Sequence, residues 1–335
     1  MSNNMIKIFS DENSFQNADI KNKSIVIIGS GSMANQYCFA LSKMGISDVE
    51  LIGRSQKSLE LICKKFNFKP INQNYKDAIK LLSKKDLVII ATPIPDLIPA
   101  AKLAIKYDQK NILIEKPGSL YATQLLNLDK LKKSQKIFVG YNRLFYPNFQ
   151  KLFDLVKKDG GINSCNFTFT EWVDKINFKK YHPSVYSRWG IANSLHVISM
   201  AFRLIGMPKN INCISSGNLS WHKSGSIFMG SGVSKKGIPF SYNADWSSSG
   251  RWGIEVTTKK NAYRLVPLEQ LYRCPINSTT WVPVKFNKKY PKVKEGISEQ
   301  ILAMLTKNAK NSSNLVSLKE ASTFNQVAEK IFGYS

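Results

Sequence analysis

The stretch Ser24-Ile25-Val26-Ile27-Ile28-Gly29-Ser30-Gly31-Ser32-Met33-Ala34 decides how the first half of the chain is read. A β-branched apolar run ends in Gly-x-Gly-x-x-Ala, and a helix-patterned segment from Ala34 to Met44 follows directly. Strand, glycine turn and helix N-terminus in that order form the geometry that cradles a dinucleotide pyrophosphate. Gly29 permits the sharp turn, Gly31 lets the backbone approach phosphate, and small Ala34 lets helix and strand pack closely. The amides of Ser32 and Met33 then belong to the helix end that faces the anion.

Working outward, short apolar runs alternate with amphipathic segments. Val49–Ile52, Leu87–Ala91, Asn111–Glu115 and Lys136–Gly140 read as strands. Ser58–Phe66, Tyr75–Leu82, Leu97–Tyr107 and Thr123–Lys133 read as helices between them. Such alternation predicts a parallel sheet covered by helices on both faces. The pattern stops near Tyr141-Asn142-Arg143. After a helix over Asn148–Lys158, six β-patterned runs lie between Cys165 and Pro267, separated by Ser-Gly and Lys-Lys-Gly turns. They predict an antiparallel meander. Two helices, Ile297–Lys307 and Leu318–Ile331, close the chain. The predicted fold class is α/β: a Rossmann domain over 23–143, then an α+β domain over 144–335 with an open, mainly antiparallel sheet. A polar extension covers residues 1–22. The 335-residue length agrees with two domains.

The totals narrow the partners. No apolar segment approaches the ~20 residues that a membrane span requires, and the polar N-terminus lacks the pattern of a secretory signal. Five scattered cysteines, none in a Cys-x-x-Cys pair, suit reduced thiols in the cytoplasm and no metal site. With 48 basic and 23 acidic residues the formal charge is +25. The lysines are spread in pairs along the whole chain rather than gathered into one basic arm, so no nucleic-acid partner is expected and an anionic cofactor and substrate are. The expected partner is a small sugar-like molecule. An apolar open sheet face would call for a homodimer or homotetramer.

Four motifs in order resemble the Gfo/Idh/MocA family of nicotinamide-dependent oxidoreductases, over nearly the whole length after Lys23. They are the Gly29–Ala34 turn, Ala91-Thr92-Pro93 at a strand end, Glu115-Lys116-Pro117 at the end of the next predicted strand, and Gly140-Tyr141-Asn142-Arg143-Leu144-Phe145-Tyr146-Pro147. The resemblance implies cofactor contacts at Thr92, Pro93, Glu115 and Lys116. Lys116 also makes chemical sense unaided: an ammonium at a strand's carboxyl end stabilises negative charge developing on a substrate oxygen. The family's catalytic helix falls at Trp189–Gly206. There Ile191, Leu195, Ile198, Phe202 and Ile205 form one apolar stripe, with Trp189, Asn193, His196 and Met200 opposite. The resemblance makes His196 the general acid/base. Arg143, Tyr146, Trp189 and Asn193 are the expected substrate contacts.

Two departures from the family pattern carry information. Polyol-acting relatives often hold an aspartate four residues before the histidine; this chain has Ala192. At the end of the second strand, where NAD-selective domains place an acid, the sequence reads Gly53-Arg54-Ser55. Arg54, with Ser55, suits a 2′-phosphate, so NADP(H) is expected over NAD(H). The resulting expectation is hydride transfer between nicotinamide and a sugar-like hydroxyl or carbonyl, with a nucleotide sugar or sugar acid as substrate. Two alternatives stand beside it: a cofactor-retaining glycoside hydrolase, and a non-catalytic sensor of dinucleotide or sugar.

Overall fold

The computed structural model describes residues 18–288, 292–306 and 314–334; most of the 1–22 extension and the predicted helix end at Lys307 lie outside them. The chain divides into two compact units. The first comprises 1–142 and 290–322, the second 143–289 and 323–335. The reading from sequence runs the second domain from 144 to 335; in the structure 290–322 clusters with the first unit and 323–335 with the second.

The first unit is built on a seven-stranded sheet. In chain order its strands are β1 (Ile25–Ile28), β2 (Val49–Gly53), β3 (Lys69–Asn72), β4 (Leu87–Ile90), β5 (Asn111–Glu115), β6 (Lys136–Gly140) and, from the returning segment, β15 (Val316–Ser317). The spatial order is β15-β6-β5-β4-β1-β2-β3. Every pairing is parallel except β15 with β6. Strands β1 and β4 are buried at every position, which explains their unbroken Ile/Val/Leu runs. The order reverses between β1 and β4, where open α/β sheets bind ligands beyond the carboxyl ends.

The second unit contains an eight-stranded sheet: β7 (Ser164–Phe169), β8 (Pro208–Ser216), β9 (Ile227–Ser234), β10 (Pro239–Asp245), β11 (Trp252–Thr257), β12 (Asn261–Leu265), β13 (Tyr272–Pro275) and β14 (Val282–Pro283). Its order is β14-β13-β12-β11-β7-β10-β9-β8, antiparallel throughout except for β10 with β7. The helix Leu195–Ile205 packs across β7 and β11. Phe202 meets Phe167 edge-on at 5.6 Å and Phe240 at 5.2 Å, and Tyr242 stacks on Phe167 at 5.5 Å. Such offset and edge-on aromatic pairs form the heart of this core.

The other sheet face is not the apolar surface expected from sequence. It carries hydrogen-bonded polar ladders, Asn166 to Ser241 at 2.8 Å and Ser164 to Thr257 at 2.6 Å. Ile214 and Met229 are its large exposed apolar side chains. The helix carrying His196 also departs from the predicted pattern. Met200, assigned to the polar face, is fully buried, and the helix is buried at nine of its eleven positions. A helix apolar on nearly all sides is a core helix, so one stripe does not describe it. No helix among the described residues is long and apolar enough to cross a membrane.

Candidate functional site

The first unit presents the glycine turn. Gly29 has φ +124°, and a Cβ there would lie 2.4 Å from the Ala91 carbonyl oxygen, so only glycine fits. Hydrogen bonds from Gly29 N to Ile52 O and from Ala91 N to Ile28 O, both 2.8 Å, lock the turn between β2 and β4. Gly31 caps the helix Ser32–Lys43 in extended conformation without a side-chain cap, and no acid lies in the helix's first turn. A Cβ on Gly31 would meet nothing within 4 Å. The turn is therefore closed at Gly29 and open at Gly31, where the positive end of the helix begins and its first amides have no partner within the helix. Ser32 is exposed, Met33 half-buried, and Ala34 buried against the strand.

Beyond β4, the Thr92 hydroxyl is buried yet has no hydrogen-bond partner among the described residues. Pro93 caps the helix Ile94–Lys106. An orphaned hydroxyl beside an open glycine turn is what a bound ribose or amide would satisfy, and these residues fit a dinucleotide. At the end of β5, Glu115 accepts a 2.7 Å hydrogen bond from the buried Tyr37 hydroxyl. Burial pushes the Glu115 carboxyl up from its ordinary value, while Tyr37, Lys294 and Lys116 pull the other way. Lys116 follows, half-buried, joined to Pro117 by a cis peptide.

The end of β2 explains its missing acid. A Cβ on Gly53 would lie 2.7 Å from Ser30 Oγ, so the turn's own serine occupies that space. Arg54 beside it is exposed, and its charge reaches Tyr75, whose hydroxyl donates to Asp96 at 3.1 Å. Ser55 is used locally, capping the helix Gln56–Phe66 by accepting from Ser58 N at 3.4 Å. Glu50 is taken up by Lys69 at 2.8 Å and Lys85 at 2.9 Å.

The second unit gathers a separate cluster around Trp252 at the start of β11. The Arg143 guanidinium lies 4.9 Å and that of Arg251 4.3 Å from the Trp252 ring centroid. The His196 ring lies 6.0 Å from the same indole, and Tyr146 receives Arg143 at 5.3 Å. Beneath them sits Glu171, 2% exposed. Its carboxylate accepts from Ser194 Oγ at 2.6 Å, Asn193 Nδ2 at 2.8 Å, Arg251 Nη1 at 2.9 Å and Trp252 Nε1 at 3.2 Å. Burial raises the Glu171 pKa in spite of Ser194, Arg251 and Asn193, which oppose it. Asn193 and Ser194 lie in a π-helical turn, Gly190–Ser194, immediately before the His196 helix. Wide turns of this kind recur at functional sites.

Arg143, Tyr146, Asn193 and His196 thus come together, through Trp252 and Glu171. Trp189 lies apart in an aromatic group, stacked on Tyr186 at 5.9 Å and edge-on to Trp221 at 6.4 Å. Glu171, Arg251 and Trp252 had no sequence signal: eighty positions separate Glu171 from Arg251, and only the pairing of Trp252 with Phe169 across β11 and β7 joins them. The remaining buried histidine, His222, is structural. It is bonded to Gly225 O at 2.8 Å and the Tyr334 hydroxyl at 2.6 Å, and burial lowers its pKa. Among the described residues no His/Cys/Asp/Glu group could hold a metal, and all five cysteines are free.

Residues 11–113 match the sequence family described as shikimate / quinate 5-dehydrogenase. No curated protein matches the sequence. Solved structures match along almost the whole chain. An oxidoreductase from Agrobacterium radiobacter, in complex with NAD+, L-tartaric acid and magnesium, is 12% identical with a TM-score of 0.75, covering 93% of this chain and 96% of its own. The UDP-N-acetylglucosamine 3-dehydrogenase of Acidithiobacillus ferrooxidans is 13% identical with a TM-score of 0.71, covering 92% and 96%. A super-repressor mutant of Gal80p from Saccharomyces cerevisiae is 11% identical with a TM-score of 0.76, covering 93% and 95%. At these identities the likeness establishes architecture: the chain has the two-domain fold of these proteins, a parallel Rossmann-like sheet followed by a second, mostly antiparallel one.

Proposed function

We propose that the protein is an NAD(P)-dependent oxidoreductase of the Gfo/Idh/MocA type that acts on a CH–OH or carbonyl group of a sugar-like substrate, with NADP(H) preferred. The observation that carries the reading is the glycine turn, closed against Ala91 and open at Gly31, in one sheet with Lys116 at the end of β5. Amides of the Gly31–Met33 segment hold the pyrophosphate. Thr92 supplies its unpaired hydroxyl, and Arg54 recognises the 2′-phosphate. When bound, the nicotinamide supplies or accepts hydride at C4.

The chain's own residues do the rest. Lys116 stabilises negative charge on the substrate oxygen. His196 moves the hydroxyl proton, held against Trp252. Arg143 and Arg251 each bond one carboxylate through a single Nη1, leaving other N–H groups to recognise an anionic substituent. A sugar acid or nucleotide sugar fits that chemistry. Asn193, fixed by Glu171, and Tyr146 complete the substrate contacts, and Trp189, grouped with Tyr186 and Trp221, is not among them.

The test is titration of purified protein with NADPH and NADH, followed by NADPH consumption against sugar ketones and aldehydes. Lys116→Ala and His196→Ala should each lower turnover by roughly 10²–10⁴-fold, with NADPH binding retained in His196→Ala. Absence of dinucleotide binding sinks the reading. Tightly held cofactor with no net turnover of it would favour the glycoside hydrolase. Binding without any turnover would favour a regulator, a use of the fold that the Gal80p likeness makes concrete.

A further inference from the structure

We propose that Tyr334 is a positioning residue for the substrate side of the site: its hydroxyl joins the backbone of Gly190 to buried His222 and so holds the π-helical turn that delivers Asn193 and Ser194 to Glu171. This rests on the reading of Asn193 as a substrate contact given above. Gly190 opens the turn, and its N–H donates to the Tyr334 hydroxyl at 2.9 Å. The direction of the remaining bonds follows from the groups involved. The Gly225 carbonyl can only accept, so His222 Nδ1 carries a proton and donates to it at 2.8 Å. His222 is fully buried, with the ring centroids of Trp246, Phe228 and Phe332 at 4.7, 5.9 and 6.4 Å, surroundings that keep the imidazole neutral. Its Nε2 is then the acceptor, and the Tyr334 hydroxyl donates to it at 2.6 Å. One phenol thus gives its proton to the histidine and takes the Gly190 N–H on a lone pair.

The same C-terminal residues fit the start of the turn in two further ways, all within the second unit. A Cβ on Gly190 would lie 2.3 Å from the Phe332 ring, so glycine lets the end of the helix Leu318–Phe332 come this close. Two residues before Gly190, Arg188 Nη2 bonds Glu329 Oε1 at 2.8 Å, and its guanidinium lies 4.8 Å from the Tyr334 ring centroid. The Arg188 carbonyl accepts from both Ile191 N and Ala192 N at 3.0 Å, where the chain begins to wind. The C-terminal residues are themselves fixed to the sheet. Phe332 is buried and meets Phe169 edge-on at 5.4 Å and Phe228 at 4.8 Å, and Tyr334 stacks on Phe332 at 5.4 Å. A wide turn is not the helix a chain adopts by default. Here it is gripped at both ends, by Glu171 through Asn193 and Ser194 and by Tyr334 through Gly190. The phenol therefore acts on the substrate through Asn193, not by touching it.

The experiment compares Tyr334→Phe with the parent chain and with Tyr263→Phe, which removes a hydroxyl bonded to Asp159 at 2.8 Å elsewhere in the same unit. Three quantities are read: amide hydrogen exchange in the peptide spanning 190–196, affinity for UDP-glucuronate by calorimetry, and the thermal unfolding midpoint. UDP-glucuronate is the probe because it carries both a sugar carboxylate and a nucleotide. Tyr334→Phe keeps the ring stack, so exchange at 190–194 should speed by about 5–10-fold and affinity weaken by about 3–10-fold. Tyr263→Phe should lower the midpoint and leave the other two quantities at parent values. Exchange at 190–194 in Tyr334→Phe that matches the parent, or rises only as much as in Tyr263→Phe, overturns the proposal; so does faster exchange with unchanged affinity. If the parent chain does not bind UDP-glucuronate, the substrate reading has failed, and the exchange comparison alone decides whether Tyr334 holds the turn.

Discussion

The Tyr37 hydroxyl donates to Glu115 Oε1 across 2.7 Å, tying the helix after the glycine turn to the strand end that bears Lys116. This bond has a pH signature. Burial raises the Glu115 pKa above its unfolded value, so what this carboxyl contributes to stability is fully present below the unfolded value and is lost as pH rises through the folded one. Tyr37 limits that loss by stabilising the anion. Tyr37→Phe should therefore destabilise the fold by about 1–3 kcal/mol at pH 8, and by less at pH 5, as measured by urea unfolding. Equal losses at both pH values would show that the bond does not serve an ionised carboxylate.

Two alanine substitutions in one motif should behave oppositely. Gly29→Ala places a methyl group 2.4 Å from the Ala91 oxygen at a positive φ, so the unfolding midpoint should fall by the equivalent of about 2 kcal/mol or more. Gly31→Ala meets no atom, so folding should hold while dinucleotide affinity drops about tenfold or more, because the added methyl projects into the space a phosphate needs. Retained affinity in a folded Gly31→Ala chain would move the phosphate site elsewhere.

The proposed preference for NADPH rests on the end of β2. Ser30 excludes a side chain at Gly53, and Arg54 stands next to it. Arg54→Ala should weaken NADPH about tenfold while leaving NADH nearly unchanged, a difference visible in parallel fluorescence titrations. Equal affinities for the two cofactors in the parent chain would remove Arg54 from the account.

Glu171 holds four donors at once, so Glu171→Gln leaves at least one of them facing another donor. A stability loss of roughly 1–3 kcal/mol is expected, together with a rise in KM, because Arg251 and Asn193 lose their anchor. Thermal unfolding with steady-state kinetics would separate the two effects; unchanged KM would confine Glu171 to the core.

Much of the first unit was readable because buried parallel strands announce themselves as β-branched runs, as in Ile25–Ile28 and Leu87–Ile90. Strand β3, Lys-Pro-Ile-Asn, was not readable. It lies at the sheet edge, mostly exposed, and carries neither an apolar run nor alternation. Two-residue β15 is defined wholly by its partner β6. In the candidate site, glycine spacing and strand-end motifs pointed to Gly29, Thr92 and Lys116. Glu171 and Arg251 were invisible because each gains its meaning only from strand pairing across a long separation. The π-helical turn at Gly190–Ser194 likewise has no signature in a 3.6-residue pattern.

The return of residues 290–322 also sets an order of assembly. As the chain leaves the ribosome, β6 is made long before β15, the strand that covers its outer edge. Until then the nascent sheet ends in an unpaired strand, Lys-Ile-Phe-Val-Gly, able to pair with another chain. A fragment cut at Asn142 would keep that edge open permanently and would lack the helix Ile297–Leu305 as well. A fragment ending at Asn142 should therefore be prone to aggregation unless the distant segment is grafted back onto it.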